Sequence, residues 1–178
     1  MLSDQQIIGQ VIKGKAEMFG ELVARYQTPV FRLAFSILAD RAEAEDAAQE
    51  VFIRAYSKLS SYTDSGKFWG WLRRITVNIC LDKIRPYTVI SLDDVNEIPA
   101  QSGDSVYESV ACSTEATELR ETIYQLPPAY RSVIVLKYLE DMNYAEIAEM
   151  LGESIPNVRV RIHRAKKMLR ERMKVCAQ

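Results

Sequence analysis

The 178-residue chain has little of what most enzymes and secreted scaffolds need. It holds one histidine, His163, and three cysteines, Cys80, Cys112 and Cys176. Structural zinc wants four clustered ligands, which this inventory does not offer. Odd, widely spaced cysteines argue against a disulfide framework and fit a reducing cytosol. No run of about 18 apolar residues occurs, so no membrane-spanning helix is expected. The start, Met1-Leu2-Ser3-Asp4-Gln5, lacks a basic region followed by an apolar core, so no secretory signal is expected either. Glycine is scarce, at seven residues. No phosphate-cradling glycine loop and no nucleophile–base pair stands out, so the chain is not expected to be an enzyme. No cofactor, metal or small-molecule substrate is expected.

Charge is present but unevenly placed. The formal net charge is -1, and it hides three blocks of different sign. From Met1 to Arg85, 12 Lys/Arg face 10 Asp/Glu. From Pro86 to Ser113 there is no Lys or Arg, against Asp93, Asp94, Glu97, Asp104 and Glu108. From Thr114 to Gln178, 11 basic residues face 9 acidic ones. Near the C-terminus, Arg159, Arg161, Arg164, Lys166, Lys167, Arg170, Arg172 and Lys174 meet only Glu171. A basic tip of this kind suits a polyanion, although charge alone is equally compatible with a solvated helix face.

Apolar residues recur at helical spacing almost throughout, which predicts an all-α chain. Phe19, Leu22, Val23, Tyr26, Val30, Leu33, Ala34 and Ile37 form one stripe. Ala44, Ala47, Ala48, Val51, Phe52, Ala55, Tyr56 and Leu59 form a second, for which Asp40 is a plausible N-cap. Phe68, Trp71, Leu72, Ile75, Ile79 and Leu81 form a third, which Pro86 is expected to stop. With a short helix near Ser3–Lys13, these predict a compact N-terminal domain over residues 1–86. The acidic stretch 87–113 predicts a flexible linker. Helical periodicity resumes at Thr114 and predicts a second small domain over 114–178.

That second domain has helix-turn-helix spacing. Tyr144–Leu151 predicts a short helix ended by Gly152, which permits a tight turn, and Ile155–Lys174 predicts a long one. Ala148 is small enough for two helices to cross closely. Ser154 can cap the long helix, and Pro156 sits in its first turn, where a missing N–H costs little. Ile147, Leu151, Ile155, Val158 and Ile162 are expected to pack the pair together. Asn157, Arg159, His163 and Arg164 fall near one side and are candidate base readers, since arginine can pair bidentately with guanine. Ser154, Arg161 and Lys166 are better placed for phosphates, which set register rather than sequence.

Taken as blocks, Leu126–Arg131, Tyr144–Ala148 and Val158–Lys166 resemble the promoter-reading domain of extracytoplasmic-function (ECF) sigma factors, in which this long helix reads the upstream, minus-thirty-five element. Pro156-Asn157 stand where a Gly-Thr pair is common in that family. The N-terminal half resembles the same family independently. Ala44–Phe52 is similar to the helix that docks on the clamp helices of the largest polymerase subunit. There Asp46, Gln49 and Glu50 take the polar docking places, at i, i+3 and i+4 on one helical face. Phe68–Ile75 and Asn78 resemble the segment that recognises the minus-ten element and opens the strands. The resemblance implies DNA contacts by Tyr62 and Lys67 in the preceding loop, and by Trp69, Arg73, Arg74 and Asn78. Lys67, Trp69, Arg73 and Arg74 are expected to be exposed and Trp71 to be core, while Trp69 is open to either contact or packing.

The resemblance implies core RNA polymerase (clamp helices of the largest subunit, flap of the second-largest) and promoter DNA as partners, control by an anti-sigma factor, and a cytoplasmic protein. It also implies a linker running through the polymerase cleft, with Asp93, Asp94 and Glu97 mimicking nucleic-acid charge. The rival reading is a helix-turn-helix regulator that never touches polymerase. It leaves the face at Asp46–Phe52 and the aromatic-basic third helix unexplained.

Overall fold

The computed structural model describes residues 2–63, 67–88 and 114–176. Expectations that fall on the loop at 64–66, on the linker acids Asp93, Asp94 and Glu97, and on Cys112 lie outside the described residues. Among the described residues every regular element is helical, as the periodicity predicts. The chain divides into two compact units, Met1–Asp82 and Lys83–Gln178, each considered by itself.

The first unit begins with α1 (Asp4–Ile12), started by a capping box. The Gln6 amide donates to Ser3 Oγ at 3.3 Å, and the Ser3 amide donates to Gln6 Oε1 at 2.9 Å. A single 3-10 turn (Ala16–Met18) leads into α2 (Phe19–Leu38). Ala39 then takes the left-handed conformation, φ 53°, and its amide closes the helix on the Phe35 carbonyl at 2.8 Å. The next residue, Asp40, caps α3 (Arg41–Lys58) by accepting from the Glu43 amide at 2.9 Å, as expected. So short a connection turns α2 and α3 into an antiparallel hairpin.

Alanine dominates the buried stripe of α3 (Ala44, Ala47 and Ala55, with Val51), and small side chains let α2 approach closely. Ile7, Leu22, Val30, Leu33, Ile37, Leu72, Val77, Ile79 and Cys80 complete this core. A fully buried Leu or Ile contributes about 1.5–3 kcal/mol. An N-cap contributes about 1 kcal/mol. Burial therefore decides which face turns inward, and the caps decide where each helix begins.

Helix α4 (Phe68–Thr88) corrects one expectation: it continues through Pro86 rather than stopping before it. Proline's fixed φ is itself helical, and what it forfeits is one backbone hydrogen bond and some clearance from the preceding turn. Pro29 is accommodated in the same way within α2.

The second unit contains α5 (Thr114–Tyr124), α6 (Pro128–Ile134) running into one π-helical stretch (Val135–Leu139), α7 (Tyr144–Leu151) and α8 (Ile155–Cys176). Helix α8 packs on α5, α6 and α7. Val133, Val135, Leu136, Ile147, Val158, Ile162 and Ala165 lie at the centre. Arg131 is buried here and serves the end of α5. Its Nη1 donates to the carbonyls of Tyr124 at 2.6 Å and Leu126 at 3.3 Å, which no helical amide reaches. Burial pulls its pKa down to about 10, so it still carries its charge at neutral pH.

Candidate nucleic-acid and partner interfaces

The helix-turn-helix is built by local hydrogen bonds. Asn143 caps α7 by accepting from the amides of Ala145 and Glu146 at 2.9 and 3.0 Å, while Glu146 reaches back to the Asn143 amide at 2.8 Å. Gly152 ends α7 at φ 66°, ψ 33°, and the Glu153 amide closes on the Ala148 carbonyl at 2.9 Å. A β-carbon on Gly152 would meet nothing within 4 Å, so it is the left-handed conformation, not space, that favours glycine. Ser154 accepts from the Asn157 amide at 3.4 Å and starts α8.

Ile147, Ala148, Val158 and Ile162 are buried between the two helices, and Leu151 is half-buried. Ile155 departs from expectation, at 39% exposure. A helical side chain leans over the turn before its own, and the first residue of a helix has no such turn to cover it.

Outward from this packing, Asn157, Arg159, His163 and Arg164 are all exposed. Helical spacing places Asn157 and Arg164 on one flank of the outer face and Arg159 and His163 on the other, with Val160 between them. Val160, not singled out in the sequence, lies on the same outer face at 51% exposure. Its signal was present: it falls opposite the Val158–Ile162–Ala165 stripe.

Three cations of α8 rest against neighbouring side chains. Arg161 is half-buried and pairs with Glu153 at 2.6 Å. Lys166 Nζ lies 4.8 Å from the centroid of the Tyr138 ring, and Arg159 Cζ lies 5.5 Å from that of Tyr144.

In the first unit, Tyr26, Tyr62, Phe68, Trp69 and Trp71 form an aromatic cluster around the start of α4. Tyr62 lies 5.2 Å from Trp71 and 5.6 Å from Phe68, centroid to centroid. Trp69 lies parallel to Tyr26, at 6.0 Å and an interplanar angle of 4°. Lys67, Arg74 and Asn78 are exposed. Trp69 and Arg73 are half-buried rather than exposed, the tryptophan because Tyr26 covers it, and Trp71 is half-buried rather than fully core.

Tyr26 is tied in turn to α1. Its hydroxyl donates to Asp4 Oδ2 at 2.5 Å, and Arg25 Nη1 donates to Asp4 Oδ1 at 2.8 Å. Burial first, and then the Asp4 hydrogen bond and charge, push the Tyr26 phenol up to about 12.

On α3, Asp46 and Gln49 are exposed and Glu50 is half-buried, ion-paired with Arg54. Ile53 stands one turn further along the same face at 69% exposure, with Tyr56 beside it at 48%. Its spacing from Asp46, Gln49 and Glu50 already places Ile53 there in the sequence. An exposed apolar side chain with polar neighbours matches the apolar centre and polar rim of a protein interface.

Comparison with known proteins agrees with both halves. Residues 22–87 match the family model for sigma-70 region 2, and residues 116–169 match that for sigma-70, region 4. These define the chain as a sigma-70-type initiation factor. It is 35% identical over 178 residues to the ECF RNA polymerase sigma factor SigW of Bacillus subtilis (strain 168), covering 94% of this chain and 95% of that protein. It is 33% identical over 182 residues to the ECF sigma-E factor of Escherichia coli (strain K12), covering 94% and 93%.

Two solved structures share the fold. CnrH, in complex with the cytosolic domain of CnrY, gives a TM-score of 0.59 at 25% identity over 97% of both chains. The sigma factor RpoE of Bartonella quintana, in complex with the anti-sigma factor NepR, gives 0.60 at 22% identity over 88% of this chain and 97% of that one. The chain belongs to the ECF RNA polymerase sigma factors. It is a sigma factor, a protein that binds core RNA polymerase and directs initiation at promoters. Helix α1 precedes the region 2 match. Among the described residues no helix is long and apolar enough to cross a membrane.

Proposed function

We propose that the two halves divide promoter recognition, with residues 1–86 docking on core polymerase and capturing the opened minus-ten strand, and 114–178 reading the minus-thirty-five element as duplex. The observation that carries this reading is the outer face of α8, where Asn157, Arg159, Val160, His163 and Arg164 stand exposed while the opposite face is core. Arginine there discriminates guanine, and Ser154 and Lys166 contact phosphate. Arg161 would reach phosphate only by leaving Glu153.

On α3, Asp46, Gln49 and Glu50 pair with cationic groups of the clamp helices, with Ile53 as the apolar anchor one turn beyond them. Tyr62, Lys67, Trp69, Arg73, Arg74 and Asn78 serve the minus-ten strand by stacking and backbone contact. Carrying both contacts on one chain keeps each at high effective concentration for the other, so neither half need bind tightly alone.

The chain acts in the cytoplasm and performs no catalysis itself; RNA synthesis belongs to the polymerase. CnrH and RpoE were solved with CnrY and with the anti-sigma factor NepR, which supports control of this chain by an anti-sigma factor as well.

Run-off transcription with purified core polymerase over a genomic promoter library tests the assignment. Promoter-specific transcripts that require the added chain are expected. Tight duplex binding by the chain alone, without polymerase-dependent initiation, would return the helix-turn-helix regulator reading.

A further inference from the structure

Two cations on one side of α8 rest on aromatic rings. Arg159 lies over Tyr144 and Lys166 over Tyr138, seven residues and thus two turns further along the helix. The other outer-face residues, His163 and Arg164, have no such support among the described residues. Tyr144 is itself firmly placed. It is the first residue of α7, set by the Asn143–Glu146 capping box. Its ring also receives Lys137 Nζ at 5.3 Å, and that ammonium is anchored on the Met142 carbonyl at 3.0 Å. Arg159 has no carboxylate partner among the described residues, so the Tyr144 ring is what limits its rotamers. Arg161, two residues on, is held by a carboxylate instead.

We infer that Tyr144 is a positioning residue for promoter recognition: its ring face holds the Arg159 guanidinium extended toward the major groove before DNA arrives. Long side chains lose rotamer freedom when they bind, and a side chain already confined loses less. An aromatic face attracts guanidinium without neutralising it, so the charge and all its donors remain available to a base. A carboxylate in the same place would consume those donors and repel phosphate. Tyr144 touches no base in this arrangement and acts only through Arg159. The inference rests on the reading of Arg159 as a base-reading residue, and the experiment separates the two.

The measurement is discrimination at each base pair of the minus-thirty-five element, read from a randomised promoter library with polymerase reconstituted from core enzyme and the full chain. Arg159→Ala is expected to flatten discrimination at one base pair. Tyr144→Leu is expected to weaken discrimination at that same base pair by about two- to fivefold. Tyr144→Phe, which keeps the ring and loses only the hydroxyl, is expected to behave as the parent chain. In the Arg159→Ala background, Tyr144→Leu is expected to add nothing.

A Tyr144→Leu effect that persists without Arg159, or that spreads evenly over all positions, overturns the inference in favour of general support of the fold. So does a Tyr144→Phe defect as large as that of Tyr144→Leu. If Tyr144→Leu does not fold, Tyr144→Gln against Tyr144→Phe gives the same comparison. If Arg159→Ala leaves every position unchanged, the base-reading assignment fails, and the inference with it.

Discussion

Arg161 and Glu153 meet at 2.6 Å across the turn between α7 and α8, with only 17% and 22% of their side chains exposed. Glu153 Oε2 is buried with no hydrogen-bond partner, so Arg161 is what balances this carboxylate among the described residues. The pair draws a basic residue of the recognition helix back into the fold. Arg161→Ala strands the acid, and an unmet buried polar group costs about 1–3 kcal/mol. Thermal unfolding followed by circular dichroism is expected to show a midpoint several degrees lower, whereas the exposed change Arg164→Ala stays near the parent value. Equal midpoints for the two variants would show that the pair contributes no stability.

Val160 on the outer face of α8 offers DNA an apolar branched side chain among cations and polar groups. The only methyl group that a base pair presents in the major groove is that of thymine. Deoxyuridine in place of thymidine at the contacted position is expected to weaken holoenzyme binding to the upstream element. Loss of one methyl contact is worth about 0.8 kcal/mol, roughly fourfold in affinity. Val160→Ser is expected to abolish the difference between the two bases. A Val160→Ser chain that still distinguishes them would place the methyl elsewhere.

Arg159→Ala combined with Arg164→Ala is expected to remove base discrimination worth about 1–3 kcal/mol per lost guanine pair. Core polymerase affinity, measured by fluorescence anisotropy, is expected to stay unchanged. Reduced core affinity would mean that this helix has been assigned to the wrong partner.

The α3 face is expected to respond in the opposite sense. Gln49→Ala with Glu50→Ala, and separately Ile53→Asp, are expected to weaken core binding by at least about tenfold. Ile53 is exposed, so its replacement is expected to leave stability within about 0.5 kcal/mol. Parent-like core affinity in the Ile53→Asp chain would leave the polar residues without an apolar anchor.

Tyr26 makes an alkaline prediction. An unfolded tyrosine titrates near 10, whereas burial and Asp4 hold the folded group at about 12. The folded state keeps its proton where the unfolded state has lost it. The resulting stability is complete below pH 10 and disappears as pH rises from 10 to 12. Spectroscopic phenolate titration is expected to show Tyr26 ionising late, and Asp4→Asn is expected to bring it earlier. A late tyrosine that persists unchanged in Asp4→Asn would assign the whole shift to burial.

Local hydrogen-bonding chemistry was legible in the sequence. Asp40 and Ser154 cap where their side chains and the following amides required, and Gly152 turns where a left-handed residue was needed. The alternation of apolar stripes likewise named most of the core. Pro86 does not end α4, because its fixed φ is helical and only one backbone hydrogen bond is lost, and Ile155 is exposed because helical spacing carries no record of how side chains lean at a helix start.

The sequence by itself determined an all-helical chain, a helix-turn-helix with a basic outer helix, and a polar face at Asp46–Glu50. Each of these depends on residues within about one or two helical turns of one another, so periodicity and cap chemistry suffice. Only the tertiary structure decided that Arg161 belongs to Glu153, Trp69 to Tyr26 and Arg159 to Tyr144, and that Ile53 is left in water. Those choices join separate elements or reflect what fails to pack against one. Which side chains meet across elements is set by how helices dock, and spacing along one helix carries no record of that.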